Sequence, residues 1–290
     1  MEGKRVGGEF PCHSFSVCPT PKFMNISTLF GMILAWGALI GSLLMEGGDV
    51  RSLVNLPAAF LVFGGTFGAC LISCKTEQIT GIPGVLSRAF QHKSGNPVEL
   101  ISTLVRFADR ARKEGLLALE TEMKRSEDEF LKRAMRLAID GTDPETLREI
   151  LATDIHFCLQ RHRASESVFT TLGGFAPTLG IIGTVMGLVH MLSNLSDPGK
   201  MGPLIAGAFI ATLYGVSSAN LLFIPIANKL KQLSHEETLL QEIIVEGAIS
   251  IQAGDNPRLV EERLKAFIAP EFRDDVRGIS VIDFPARKVA

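Results

Sequence analysis

The chain has 290 residues, 46% of them hydrophobic and 21% charged, with a net charge of −2 and a mean hydropathy of +0.26. So apolar an average is rare for a soluble chain that also carries sixty charged side chains, the charge-free windows below exclude a soluble globular enzyme and any fibrous or disordered class, and the near-neutral balance gives nucleic-acid binding no footing as the main task. The apolar and charged residues are segregated. Four windows, Ser27–Met45, Leu56–Cys74, Val168–Leu195 and Met201–Asn228, contain no Asp, Glu, Lys or Arg. Each approaches or exceeds the roughly 20 residues with which a helix crosses about 30 Å of hydrocarbon.

Residues 1–26 read as a disordered N-terminal leader without the apolar core of a signal peptide, or as sequence upstream of a start at Met24. Residues 27–74 form a hairpin of two spans joined by the short outer loop Glu46–Asn55. Residues 75–167 are a cytoplasmic helical domain in which fifteen basic residues are matched by fifteen acidic ones. Its apolar residues recur at helical spacing, as Leu100, Leu104, Phe107 and Ala111, then Leu116, Leu119 and Met123, then Phe130, Ala134, Leu137 and Ala138. Asp143 and Pro144 are suited to an N-cap and a first helical position, and the helix they start can run past Arg161 and Arg163 to the membrane at Val168.

Residues 168–228 make the second hairpin, over the loop Ser196–Lys200. In 229–290 the fourth span meets no breaker before Gly254–Pro257, so it should project as far as Ile251; a last short helix and a loosely held tail from Pro270 follow. The fold class is therefore an all-α integral membrane protein. It has four transmembrane helices, a large helical cytoplasmic insert between helices 2 and 3, and a cytoplasmic helical C-terminus. With both ends inside, 27 of the 29 basic residues face the cytoplasm, which orients the chain N-in and C-in in the inner membrane.

No span carries a carboxylate, Lys or Arg, and His190, near the outer end of the third span, reads as interfacial or packing. Ionisable residues persist in membranes mainly where they move ions, so this chain alone has no such path. Five cysteines and six scattered histidines give neither a disulfide framework nor metal-ligand spacing, and no cofactor or metal is expected. The third and fourth spans are the polar ones. Counted inward from their cytoplasmic boundaries at Val168 and Asn228, Thr184 and Thr212 each lie sixteen residues in, at one depth of roughly 24 Å. That spacing leaves two readings open: the pair lines an ion path or ligates a cation, or each hydroxyl bonds the carbonyl one turn back. Pro177 and Pro225 lie on the cytoplasmic halves of the same spans and kink them, either as a hinge or as fixed shape. Gly64, Gly65 and Gly68 in span two and Gly180, Gly183 and Gly187 in span three read as close-packing positions.

From Met24 to Pro270 the chain resembles the MotA and PomA stator subunits of the bacterial flagellar motor. The resemblance is carried by the stretch APTLGIIGTVMGLV at Ala176–Val189, by Gly202–Pro203, by ATLYG at Ala211–Gly215 and by IPIA at Ile224–Ala227. It implies a homo-oligomer, a pentamer in the family picture, around a MotB-type subunit whose aspartate takes up H+ or Na+. The cytoplasmic insert would then push on the rotor protein FliG. The family's rotor-contact charges fall on Arg112 and Glu120, and its coupling prolines on Pro177 and Pro225. Thr184 and Thr212 match hydroxyl positions linked to sodium use. Eight residues turn a helix about 80° beyond two full turns, so Arg112 and Glu120 share a surface if the helix continues through Gly115.

Other readings remain in view. An ExbB/TolQ-like energy-transducing subunit would have one span before the insert, where this chain has two. A stand-alone channel would be expected to carry its own charged pathway, and an intramembrane enzyme would need a nucleophile or metal set. A non-conducting scaffold is the fourth reading.

Overall fold

The structure is a computed structural model describing residues 26–75, 78, 79, 81, 95–124, 126 and 128–280. Among these residues every regular element is helical. The chain divides into two compact units, one holding Lys22–His92 and Gln160–Ser234, the other Lys93–Leu159 and His235–Ala290.

The first unit takes in α1 (Ile26–Met45), α2 (Leu56–Ser73), the C-terminal part of α6 (Pro144–Leu192) and the N-terminal part of α7 (Pro198–Gln252). Among the described residues, α2, α6 and α7 are long and apolar enough to cross a membrane, and Phe30–Met45 is a shorter apolar helix. Part of its packing runs opposite to that of a soluble protein. Small or polar residues such as Ala58, Thr66, Ala176, Ala208, Ala211 and Ser218 are buried, while Phe30, Phe60, Ile72, Ile181, Val189 and Phe209 face outward. In hydrocarbon there is no hydrophobic drive between helices, so small residues that admit close backbone approach are favoured between helices and large ones on the outside. Two π-turns widen these helices, at Phe60–Gly64 in α2 and at Ala219–Phe223 in α7.

The second unit is an ordinary soluble core. It contains α3 (Pro97–Glu114), α4 (Leu119–Met123), α5 (Glu129–Ile139), the start of α6, the end of α7, α8 (Pro257–Lys265) and α9 (Arg273–Ser280). The stripes of the insert converge here: Ile101, Leu104, Leu119, Met135, Leu147, Ile244 and Leu264 are fully buried in one cluster. A repeated start signal organises it. Asn96, Asp143 and Asn256 each accept a bond from an amide two residues on, and each precedes a proline at the first helical position. Helix α7 ends at Gln252, ahead of Gly254 at φ +73°. The tail differs from expectation. Beyond Pro270 the chain turns into α9, whose Val276 is only 1% exposed within this core, so this first part of the tail is seated through that apolar contact; residues 281–290 lie outside the described residues.

Asp128 caps α5, accepting from the amides of Phe130 and Leu131. Burial of the carboxyl pushes its pKa up; those two amides oppose the shift, and the charges of Glu237 and Glu129 add to it. Because the native group holds its proton to higher pH than the unfolded one, its contribution to stability is full below the ordinary carboxylate value. That contribution is lost as pH rises through the raised native value. Asp128→Asn is expected to keep the cap and abolish this pH dependence, whereas Asp128→Ala should weaken the first turn by about 1 kcal/mol. Hydrogen exchange of the Phe130 and Leu131 amides at acidic and neutral pH checks both; identical exchange in all three forms would contradict them.

Candidate functional site

In the membrane unit the site is built on glycine. A Cβ on Gly180 would meet the Ala211 carbonyl oxygen at 3.0 Å and Thr212 Cα at 3.2 Å, one on Gly183 would meet Ala211 Cβ at 2.6 Å, and one on Gly187 would meet Ala208 Cβ at 2.7 Å. On the facing helix, a Cβ on Gly215 would run into the Ala176 carbonyl and lie 3.0 Å from Gly180 Cα. The helices α6 and α7 therefore touch backbone to backbone along this ladder. That approach joins the two hydroxyls which the residue count placed at one depth.

Thr184 Oγ1 and Thr212 Oγ1 are in direct contact. The Thr184 hydroxyl is also 3.1 Å from the carbonyl oxygens of Gly180 and Ala208, and Thr212 Oγ1 is 3.3 Å from the Gly180 carbonyl. The backbone bond one turn back exists for Thr184, whereas Thr212 bonds the Gly180 carbonyl of the facing helix, and the two hydroxyls meet each other. Two hydroxyls have two protons to donate, and their lone pairs together with the two carbonyls form a compact set of hard oxygens of the type that holds water or an alkali cation.

Below this level lie the prolines. Pro177 interrupts α6 and removes the amide that would bond the Gly173 carbonyl. Gly173 itself lies against α7 where a Cβ would meet Ile224 Cγ1 at 2.8 Å, so the interruption in α6 abuts the residue preceding Pro225. In α7 the Ile224 amide bonds Ala219, five residues back, which puts the wide π-turn directly before Pro225.

Tyr214 was legible only as one more polar residue. It donates to the Leu53 carbonyl and accepts from the Asn55 amide at 3.2 Å, while Asn55 caps α2 through the Ala58 amide. The Tyr214 hydroxyl thereby fastens the loop between α1 and α2 to α7. Of the sequence signals, only its being the one tyrosine of the chain sets it apart. Near the C-terminal end of α6, His190 lines an open groove with Asn194, Lys200 and Pro203.

Arg112 and Glu120 belong to the other unit, and here the helix does not continue. Gly115 adopts φ +86°, a conformation that costs a residue with a Cβ, and it ends α3; a 3-10 turn at Leu116–Ala118 leads into α4. The common surface expected from an unbroken helix is replaced by two exposed side chains on separate helices, Arg112 in the last turn of α3 and Glu120 in the first of α4. Glu120 pairs with Lys124 at 3.0 Å, and Arg112 has no ion-pair partner among the described residues.

Two family models match the chain, "Motility protein A N-terminal" over residues 29–115 and "MotA/TolQ/ExbB proton channel family" over residues 122–243. Among curated proteins, motility protein A of Borreliella burgdorferi is 36% identical over 255 residues, spanning 88% of this chain and 98% of that protein. Chemotaxis protein PomA of Vibrio alginolyticus is 37% identical over 245 residues, 84% of this chain and 96% of that one. Among solved structures, the flagellar MotAB stator complex from Bacillus subtilis superposes with a TM-score of 0.80 at 34% identity, covering 86% of this chain and 98% of that one. The C. jejuni MotAB structure gives 0.80 at 31%, over 86% and 97%.

Proposed function

Because the chain belongs to the MotA/TolQ/ExbB proton channel family, as an inner-membrane flagellar stator subunit that assembles with a MotB-type partner, we propose how its two units divide the work. Four spans cross the membrane with both termini inside, and 75–167 and 229–290 stand in the cytoplasm. The chain carries out no catalytic reaction. Five copies surround the partner, whose aspartate takes up H+ or Na+, and lipid covers the outward apolar side chains. ExbB/TolQ-like energy transduction is the wider family to which this subunit's mechanism belongs.

One observation carries the reading. The spans lack every carboxylate, yet they present the Thr184–Thr212 oxygen cluster at mid-helix. A cation shed from a partner carboxylate meets ready-made oxygen ligands there, with no charge of the chain's own to trap it. Pro177 and Pro225, both inward of the cluster on their helices, form the hinge that passes a change at the cluster along α6 and α7. At the cytoplasmic end Arg112 and Glu120 engage FliG, a contact in which exposed charges set steering and register more than affinity.

Charge reversal tests the rotor end. Arg112→Glu and Glu120→Lys are each expected to lower swimming speed several-fold with normal membrane insertion, since both side chains are exposed and no buried contact depends on them. Unchanged swimming in both variants would refute the rotor assignment.

A further inference from the structure

The break at Gly115 creates a problem that an unbroken helix would not have. Glu120 lies on α4, a helix of only five residues, which has little stability of its own. Two side chains seat α4 on the core, Leu119 and Met123, one turn apart on one face. Seating on one face fixes the depth of the helix but leaves it free to roll and slide. Left so, the spacing of Glu120 from Arg112 would vary with every thermal displacement of the turn.

A third tie removes that freedom. Arg110, on α3, holds Glu114 of its own helix through Nε at 3.1 Å and Glu122 of α4 through Nη1. Arg110–Glu114, Lys113–Asp109 and Lys124–Glu120 are pairs within one helix and contribute little to the relation between helices. Arg110–Glu122 joins residues twelve apart across the break. Glu122 is also the more sheltered acid, its side chain 26% exposed against 54% for Glu114, and its second carboxylate oxygen is buried without a hydrogen-bond partner. A carboxylate so placed makes its contact with Arg110 expensive to lose. The planar guanidinium fork fixes direction as well as distance.

We propose that Arg110 and Glu122 are positioning residues for the rotor contact: their ion pair sets the spacing and direction of Glu120 relative to Arg112 across the Gly115 break. This rests on the assignment of Arg112 and Glu120 to the rotor. Neither Arg110 nor Glu122 touches the partner; they act through the orientation of α4.

The test is torque per stator unit at high load, measured on beads in cells that carry the full chain with its partner. Arg110→Gln and Glu122→Gln are each expected to lower torque about two-fold or more, and the double variant is expected to be no worse than either single one. Glu114→Gln removes the other acid of Arg110 without crossing the break and should leave torque unchanged, which a general role in helix stability would not allow. In a Glu120→Gln background, adding Glu122→Gln should cost nothing further, because there is no longer a charge to position. The proposal is overturned if Glu122→Gln is neutral, if Glu114→Gln matches it, or if its loss adds in full to that of Glu120→Gln. Should charge reversal at Arg112 and Glu120 also leave torque intact, the rotor assignment itself falls; if those reversals impair torque while Glu122→Gln does not, only the positioning role falls.

Discussion

Gly215→Ala is expected to abolish motility while the chain still reaches the membrane. The added methyl would meet the Ala176 carbonyl oxygen, Gly180 Cα at 3.0 Å and the Ala176 carbonyl carbon at 3.2 Å. All three are backbone atoms, so no rotamer change relieves the clash, and α6 and α7 must move apart. Overpacking of this kind typically costs about 1–3 kcal/mol. The functional loss should exceed the loss of stability, because the same separation opens the Thr184–Thr212 contact a turn away. Gly174, whose added Cβ would meet nothing within 4 Å, is the matched control for the fold: Gly174→Ala should insert and pack as the wild type does. Soft-agar swimming with quantitation of membrane-inserted protein decides the point; full motility of Gly215→Ala would show that backbone contact between these helices is not required.

The parts of this architecture that depend on local chemistry could be read from the residues. The charge-free windows correspond to the apolar helices, and the Asp143–Pro144 pair marks a helix start because the cap and the preset φ act within one turn. The shared depth of Thr184 and Thr212 followed from counting, since rise per residue is constant. Their contact did not, because it depends on glycines from two helices meeting at one level. Gly115 stood in plain view, yet helix or break was undecided there until the chain adopted a positive φ. The π-turns left no pattern, as one extra residue in a turn does not alter an all-apolar stretch. Tyr214 to Leu53 and Arg110 to Glu122 lay beyond sequence reasoning for the same reason: each joins segments whose approach is set by packing elsewhere. The seating of α9 through Val276 went unforeseen because an eight-residue helix carries too few apolar positions for a periodic signal.

The largest expected effect concerns what the chain lacks. Ion paths through membranes are built around ionisable groups or dense oxygen cages, and here the spans offer two hydroxyls, two carbonyls and no titratable group at mid-depth. A cluster of four neutral oxygens is too few to strip and hold an alkali cation by itself, and a neutral hydroxyl takes up no further proton at physiological pH. On the proposed reading, the missing element is a carboxylate brought by the MotB-type partner. On that reading, the chain's own contribution is the oxygen ligands, the hinge and the lever. This division also accounts for the charge pattern, with the sixty Lys, Arg, Asp and Glu residues kept almost wholly outside the membrane, where a rotor can be engaged.

The measurement that tests this most directly is ion flux and swimming in cells without stators of their own, supplied with the chain alone, with its MotB-type partner, or with a partner whose membrane aspartate is replaced by asparagine. Proton and sodium gradients are collapsed in turn to identify the coupled ion. Flux and motility are expected only with the intact partner, and only with one of the two gradients. Full flux from the chain alone, or from the complex with the asparagine partner, would contradict the account.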